Sequence, residues 1–332
     1  MYMEKKYVLG VDGGGTKTDA YIFDTEGNLV SKFTGGATNH EQYDGGFEEM
    51  KLVFADIVGN AAELAGISVS DIAGTVCGLS GIDVPYQKTR MDAYMDVLGF
   101  ENYRIINDSF LGVKAACQRG YGISFVNGTG NSVGGIDKTG RWLQVGGTGL
   151  DFGDLNGASG MTGKVILAVF SQFYRCGKTT SMSEKFFKLL GIDDPEHFAE
   201  AVYDKVYTEQ ISNKDIHNQV LYAAVEEGDE VAIEVVKACA HQFALGIAGC
   251  IRNLDFDDAV EVVLIGSASL KAKSPLLIES LREYVSELSG KEIITIPLAV
   301  PPACGAVLWA LELAGVEITS ELRAKVIAEI SK

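Results

Sequence analysis

The sequence predicts an α/β protein of two lobes, each built on a mixed sheet. Three observations carry that prediction. The stretch Val11-Asp12-Gly13-Gly14-Gly15-Thr16-Lys17-Thr18 puts a glycine-rich turn directly after an apolar run. An echo returns 113 residues later: Gly128, Thr129, Asp137 and Gly140 stand in the register of Gly15, Thr16, Asp24 and Gly27. In each half, finally, strands come first and then alternate with helices, the pattern of a mixed sheet.

Taken in order, residues 7–11 and 21–23 flank the first turn as a hairpin, and 29–33 reads as a third strand. Apolar positions at helical spacing (Phe47, Met50, Val53, Phe54, Ile57, Ala61, Leu64) predict a helix over 42–66 that stops at Gly66. A buried strand over 73–79, a helix over 86–98, a strand over 103–107 and a helix from Asp108 through Cys117 complete the first lobe. The second opens with the hairpin 123–126 and 133–136 and is interrupted by a helical insertion at about 157–253. It resumes with a strand over 261–265, a helix over 275–288 and a strand over 292–296; helices over 302–315 and 319–331 close the chain. The expected domains are 1–117, with the C-terminal helix 316–332 packing on it, and 118–315. No low-complexity linker separates them, so a hinge between packed lobes is expected and not a flexible tether.

Composition narrows the partners. The 28 basic and 45 acidic residues give a net charge of −17, which repels nucleic acid and leaves any phosphate affinity to local amides, a few cations and a metal. The six cysteines are scattered, with no C-x-x-C pair and no Cys/His cluster, which argues against structural zinc and a disulfide scaffold; they are expected reduced and buried. Residues 1–6 do not fit a signal peptide, and no uninterrupted apolar run approaches membrane length. A soluble, cytoplasmic protein with no membrane partner is the expectation.

The chemistry concentrates in a few places. Glycine lacks Cβ, so the N–H groups of the two turns can approach phosphate oxygens closely. Thr16, Lys17, Thr18 and Thr129 add hydroxyl and ammonium donors, and Asp12 at a strand end is placed to hold Mg²⁺ directly or through water. The other reading of these turns is two ordinary hairpins whose glycines serve tight turns only. Asp108 lies where a strand ends and a helix begins, the edge where α/β proteins place ligands, and a carboxylate there can take the proton of an attacking hydroxyl. It could also simply cap its helix. Asn39, in Thr38-Asn39-His40, is a substrate ligand or a turn residue, and Ser80-Gly81-Ile82-Asp83 leaves a strand at the same edge. His40 reads as structural. The Lys178, Lys185 and Lys188 cluster reads as a solvated helix face. The first turn is neither a Walker A loop nor a dinucleotide fingerprint, because it lacks Gly-Lys-Ser/Thr and leads into a hairpin.

Five pieces in this order, Asp12–Thr18, Thr38-Asn39-His40, Asn107-Asp108, Gly128-Thr129-Gly130-Asn131 and Gly266-Ser267-Ala268, resemble the sugar kinase, actin and Hsp70 superfamily. Within it the chain is similar to the N-acetylglucosamine kinase and BadF-type ATPase family. The resemblance implies two ribonuclease H-like lobes with an interlobe ATP cleft, ATP and Mg²⁺ as cofactors, an amino sugar as the small-molecule partner, and a homodimer. It implies that Gly13, Gly14, Gly15, Thr16, Lys17, Thr18, Gly128, Thr129, Gly130 and Asn131 hold the nucleotide's phosphates. Gly266, Ser267 and Ala268 would pack on adenine and ribose, and Asp12 would serve the metal. Asp108 would be the general base for a sugar bound by Asn39, Gly81, Asp83, Thr129, Gly147 and Asp154, with Asp151 as an alternate to Asp154. In the loop Gly146–Asp154 this chain departs from the family: Thr148 stands where tryptophan is common, and 155–159 lacks the usual glutamate-glycine-serine. N-acetylglucosamine is the sugar implied first, with N-acetylmuramic acid and glucosamine as alternatives. Two other classes on this fold are an iron–sulfur activase, which needs clustered cysteines, and a sugar-sensing regulator, which usually carries a DNA-binding segment ahead of the first strand.

Overall fold

The computed structural model describes residues 6–128, 130–155, 157–266 and 274–332. The first sheet holds β1 (Tyr7–Gly13), β2 (Thr18–Asp24), β3 (Leu29–Gly35), β4 (Ile72–Leu79) and β5 (Tyr103–Ile106) in the order β3-β2-β1-β4-β5. The second holds β6 (Gly122–Asn127), β7 (Asn131–Ile136), β8 (Trp142–Gln144), β9 (Ala259–Ile265) and β10 (Glu292–Pro297) in the order β10-β9-β6-β7-β8. The two orders are the same path, three antiparallel strands followed by two parallel ones.

The echo in the sequence is an echo in geometry. Asp24 Oδ1 accepts from Glu26 N–H and Asn28 N–H at 3.0 and 2.8 Å; Asp137 Oδ1 accepts from Thr139 N–H and Arg141 N–H at 2.9 and 3.0 Å. Gly27 and Gly140 take φ of +79° and +83°, so both Asp-x-x-Gly turns close the second and third strands alike. β8 has no counterpart in the expected strands. It is three residues long, with Trp142 exposed, and leads into a glycine-dense loop, so it shows no alternation to read.

In the first lobe α1 (Gly46–Ala65) ends at Gly66 in the left-handed region, and its buried face (Phe47, Met50, Phe54, Ile57) covers one side of the sheet. α2 (Pro85–Val97) and α3 (Leu111–Ala116) follow β4 and β5. The helix expected from Asp108 begins as a single 3₁₀ turn, Asp108–Phe110, before α3. The insertion is helical: α4 (Ala158–Tyr174), α5 (Met182–Leu190), α6 (Phe198–Lys205), α7 (Asn213–Ile216), a π-helical turn over His217–Leu221, α8 (Tyr222–Glu226) and α9 (Glu230–Asn253). α9 is long and apolar enough by composition to cross a membrane, and eleven of its residues are buried, ten of them in the core beneath the second sheet. α10 (Leu276–Ser289) packs on α9, and α11 (Ala303–Leu313) and α12 (Ser320–Ile330) end the chain.

α11, on the second-lobe side of the expected boundary at 315, packs against β1 and β4 of the first sheet. Every residue from Ala303 to Leu311 is buried. A Cβ on Gly10 would fall 2.6 Å from Val307, and one on Gly305 would fall onto the Leu111 carbonyl, so helix, strand and α3 meet backbone to backbone. Val326 and Ile330 of α12 join the same core. Five cysteines are buried thiols, as expected; Cys176 is exposed. Lys178 and Lys185 pair with Glu234 and Glu227 at 2.5 Å each on the surface.

Candidate active site

Asp12 closes β1, where its carboxylate accepts the Ala303 N–H at the start of α11. Burial and the neighbouring Asp19 push its pKa up to about 6, with Lys17 pulling the other way. Lys17 itself pairs with Asp19 at 2.7 Å, and Thr34 Oγ1 donates to the other Asp19 oxygen at 2.5 Å. Thr18, expected at the phosphates, is fully buried and shares its hydroxyl with Thr38 Oγ1 at 2.9 Å. It ties the turn to the 37–39 segment. Gly13 has a packing reason to be glycine, since a Cβ there would fall onto Thr38 Oγ1 and Leu79.

The cap of the 3₁₀ turn is Asn107, which accepts the Ser109 N–H at 3.0 Å. The capping role set beside catalysis for Asp108 thus belongs to its neighbour. Asp108 is half-buried, and burial, then the charges of Asp12 and Asp83, push its pKa up to about 7. Asp83 is itself raised, by burial first. Its Oδ1 accepts from Asn107 Nδ2 at 2.8 Å and from Gln144 Nε2 of the second lobe at 2.9 Å. Asn39 caps its own 3₁₀ turn through Glu41 N–H at 2.9 Å, reaches Ser80 Oγ at 3.4 Å, and lies against Gly81, where a Cβ would meet its Oδ1 at 2.4 Å. His40 stacks on Phe47 with ring centroids 4.0 Å apart. Asn39, Gly81, Asp83 and Asp108 therefore stand together at one edge of the first sheet.

The segment behind Asp108 is fastened to the second lobe. Ser124 Oγ donates to the Ser109 carbonyl at 2.5 Å, and Phe110 packs edge-on to Trp142 and against Gly134. Beyond it, Asp154 Oδ2 accepts three amides, Gly147 at 3.0 Å and Thr148 and Gly149 at 2.6 Å each, and Asn131 Nδ2 lies 3.4 Å from its other oxygen. Asp154 thus organises the glycine-dense loop. Asp151 is exposed on it, with Leu150 and Phe152, 72% and 75% exposed, on either side. Gly266 takes φ of +98° and a Cβ there would fall onto the Asn127 carbonyl, which seats the end of β9 on the second glycine turn. Thr129, Ser267 and Ala268 lie outside the described residues.

Whether these turns fit a nucleotide can be asked of the glycines themselves. Gly15 and Gly130 have neither positive φ nor any atom within 4 Å of an added Cβ, and at Gly128 the nearest atom is at 4.0 Å. Neither packing nor backbone conformation requires glycine there, and the open space leaves the backbone accessible to a close approach by phosphate. Among the described residues no group of three or more His, Cys, Asp or Glu could hold a metal by itself. That suits Mg²⁺ brought in on phosphates, which needs one or two protein carboxylates and keeps waters, and Asp12 is a half-buried carboxylate at the end of β1.

Gln144 and Asp19 were missed by the sequence reading, and Asn107, named there only as a pair with Asp108, was given no role of its own. Asn107 was readable as a cap from its place before the turn. Gln144 and Asp19 carry no signal of their own, since one acts across the lobes and the other across a strand pair.

The described fold agrees with comparisons to known proteins. An N-acetylmuramic acid/N-acetylglucosamine kinase of Clostridium acetobutylicum is 24% identical over 92% of this chain and 98% of its own. An N-acetyl-D-glucosamine kinase of Dictyostelium discoideum is 23% identical over 93% and 99%. Among solved structures, a candidate N-acetylglucosamine kinase from Chromobacterium violaceum superposes with a TM-score of 0.58 at 20% identity, over 92% of this chain and 99% of that one. The ROK hexokinase of Thermus thermophilus does so at 0.51 and 21%, over 92% and 97%. The two-lobed fold is that of these kinases. The family model for the BadF/BadG/BcrA/BcrD ATPase family matches residues 9–310, and the chain belongs to that family.

Proposed function

We propose that this member of the BadF/BadG/BcrA/BcrD ATPase family is an ATP-dependent kinase that phosphorylates the primary hydroxyl of an amino sugar, N-acetylglucosamine giving its 6-phosphate. The observation that carries the reading is Asp108: a strand-end carboxylate opening a turn capped by Asn107, raised to about 7 by burial and two neighbouring aspartates against the pull of backbone hydrogen bonds, beside Asn39, Gly81 and Asp83. A base poised there takes a hydroxyl proton near neutral pH.

In the reaction the sugar oxygen attacks the γ-phosphorus, the bond from that phosphorus to the β,γ-bridging oxygen breaks, and ADP leaves; the hydroxyl proton ends on Asp108. Asn39 and Asp83 orient the sugar, and the Gly15 and Gly130 amides, with Lys17, line the phosphates, while the Gly14 and Gly128 N–H groups close their turns onto the Lys17 and Gly130 carbonyls. Mg²⁺, held through Asp12, supplies charge neutralisation on the phosphates. Apposed lobes exclude water, which limits hydrolysis of ATP.

N-acetylmuramic acid is the second substrate. It is favoured by Thr148 standing where the resembled family commonly has tryptophan, a smaller side chain in the loop that Asp154 organises, and by the Clostridium relative's name. The test is ADP release with ATP-Mg²⁺ and N-acetylglucosamine, N-acetylmuramic acid, glucosamine, N-acetylmannosamine or glucose. Stimulation by an amino sugar is expected; ADP release indifferent to every sugar would point to an ATPase acting on a protein partner.

A further inference from the structure

One amide nitrogen joins the two lobes at the site. Gln144 ends β8 of the second lobe, and its Nε2 donates to Asp83 Oδ1 of the first lobe at 2.9 Å and to the Gly146 carbonyl of the glycine-dense loop at 3.1 Å. A primary amide nitrogen has two hydrogens, so each lobe takes one and none is left over. Both ends are built to receive it. Asp83 Oδ1 is also held by Asn107, the residue immediately before Asp108 and the cap of the turn that carries it. On the other side Gly147 takes φ of +93°, and a Cβ there would crowd Ser132 Oγ at 2.9 Å and Gln144 Nε2 at 3.1 Å, so the loop leaves that space to the amide.

The chemistry of the link also fits its place. Asp12, Asp83, Asp108 and Asp154 already crowd this region with carboxylates. A fifth acid, at 144, would repel Asp83, and an ammonium would neutralise it. A neutral amide donates to the carboxylate yet can let go when the lobes part, because a hydrogen bond to one charged group is modest in strength.

We propose, resting on the kinase reading above, that Gln144 is a positioning residue for phosphoryl transfer: it engages Asp83 only when the lobes are together and, through Asn107, holds Asp108 aligned in the assembled cleft. Gln144 neither gives nor takes a proton. Parting the lobes breaks its bond to Asp83, so the base is aligned only in the arrangement that also shuts out water.

The experiment compares native protein with Gln144→Leu, each with Asp83 intact or replaced by alanine, reading sugar-dependent ADP formation and the sugar KM. Gln144→Leu is expected to lower kcat/KM about 10- to 100-fold, the range of a hydrogen bond to a charged group. In the Asp83→Ala background it should cost less than about 2-fold, because the link is already gone. An equal loss in both backgrounds, or no loss in the native one, overturns the proposal. Gln144→Glu, nearly the same shape with no donor, repeats the test if the leucine variant folds poorly. Small-angle scattering with ATP-Mg²⁺ alone separates this idea from the kinase reading. If no sugar stimulates the native protein, the kinase reading falls; contraction in native protein that Gln144→Leu loses still supports the link, and equal contraction in both overturns it.

Discussion

The two glycine hairpins share a backbone and differ in what they carry. At the offset of 113, Asp12 of the first faces Phe125 of the second, and Lys17 faces Gly130. Phe125 is fully buried against Phe243, at 4.6 Å between centroids, while Asp12 is a strained carboxylate pushed up to about 6. The first lobe thus supplies charge and the second supplies uncharged amides and core. A duplicated scaffold keeps what the sheet needs, the Asp-x-x-Gly turn, and is free to change what only the ligand needs. The charged copy also holds the less favourable electrostatics, since burial raises Asp12, Asp83 and Asp108, and the charges of Asp12 and Asp83 raise Asp108 further.

The sharpest way to break this comparison is at the charged side. Asp108→Asn should lower kcat by about 10²–10⁴-fold while nucleotide affinity, measured by calorimetry, stays within a few-fold. The same variant should be more stable than native protein at pH 8. An aspartate at 3.8 in the free chain and about 7 in the fold costs nothing below pH 4. The cost grows as pH rises between those values and is complete above them. The gain is about 1–3 kcal/mol, seen as a higher Tm at pH 8 that disappears at pH 4. A Tm unchanged at both pH values would show that Asp108 is not held under strain.

A second break contrasts two neighbouring glycines. Gly15→Ala, in open space, should leave Tm within about 2 °C but weaken ATP binding roughly 10-fold by crowding the phosphates. Gly13→Ala, facing Thr38 and Leu79, should instead destabilise the fold by about 1–3 kcal/mol. Equal behaviour of the two would erase the distinction between packing and ligand glycines. A smaller effect is the pH profile. With Asp108 required as the base, kcat/KM should fall about tenfold per pH unit on the acid side of about 7, levelling above it. An acid limb near pH 4 would assign the step to another group. The smallest is Asp12→Asn, which should raise the Mg²⁺ concentration needed for half-maximal rate several-fold, with little effect on the second hairpin's contribution.

Much of this was legible in the chain. Strand-end acids such as Asp12 and Asp108 announce themselves because a hydrophobic strand running into a carboxylate has few structural uses, and the 113-residue echo revealed the duplication before any geometry. Thr18 was misplaced for a local reason: as the first residue of β2 it alternates inward, and its hydroxyl is consumed by Thr38. Asp154 read as a free ligand because its three amide partners lie in a loop whose shape a sequence does not display. Gln144 was invisible because its meaning depends on how closely one lobe approaches the other, and a three-residue strand with an exposed tryptophan offers no periodicity to place it.

The embedding of α11 in the first lobe has a mechanical side. The chain passes between lobes twice, once outward over residues 117–122 and once back over 298–302. The first passage contains Gly120 and Gly122, both at positive φ; the second contains Pro301 and Pro302, whose φ is fixed by their rings. Both crossings are constrained, the first by packing, since a Cβ on Gly122 would fall 2.6 Å from Cys117 Sγ, and the second by proline rings, so each delivers the chain to its sheet in a set direction.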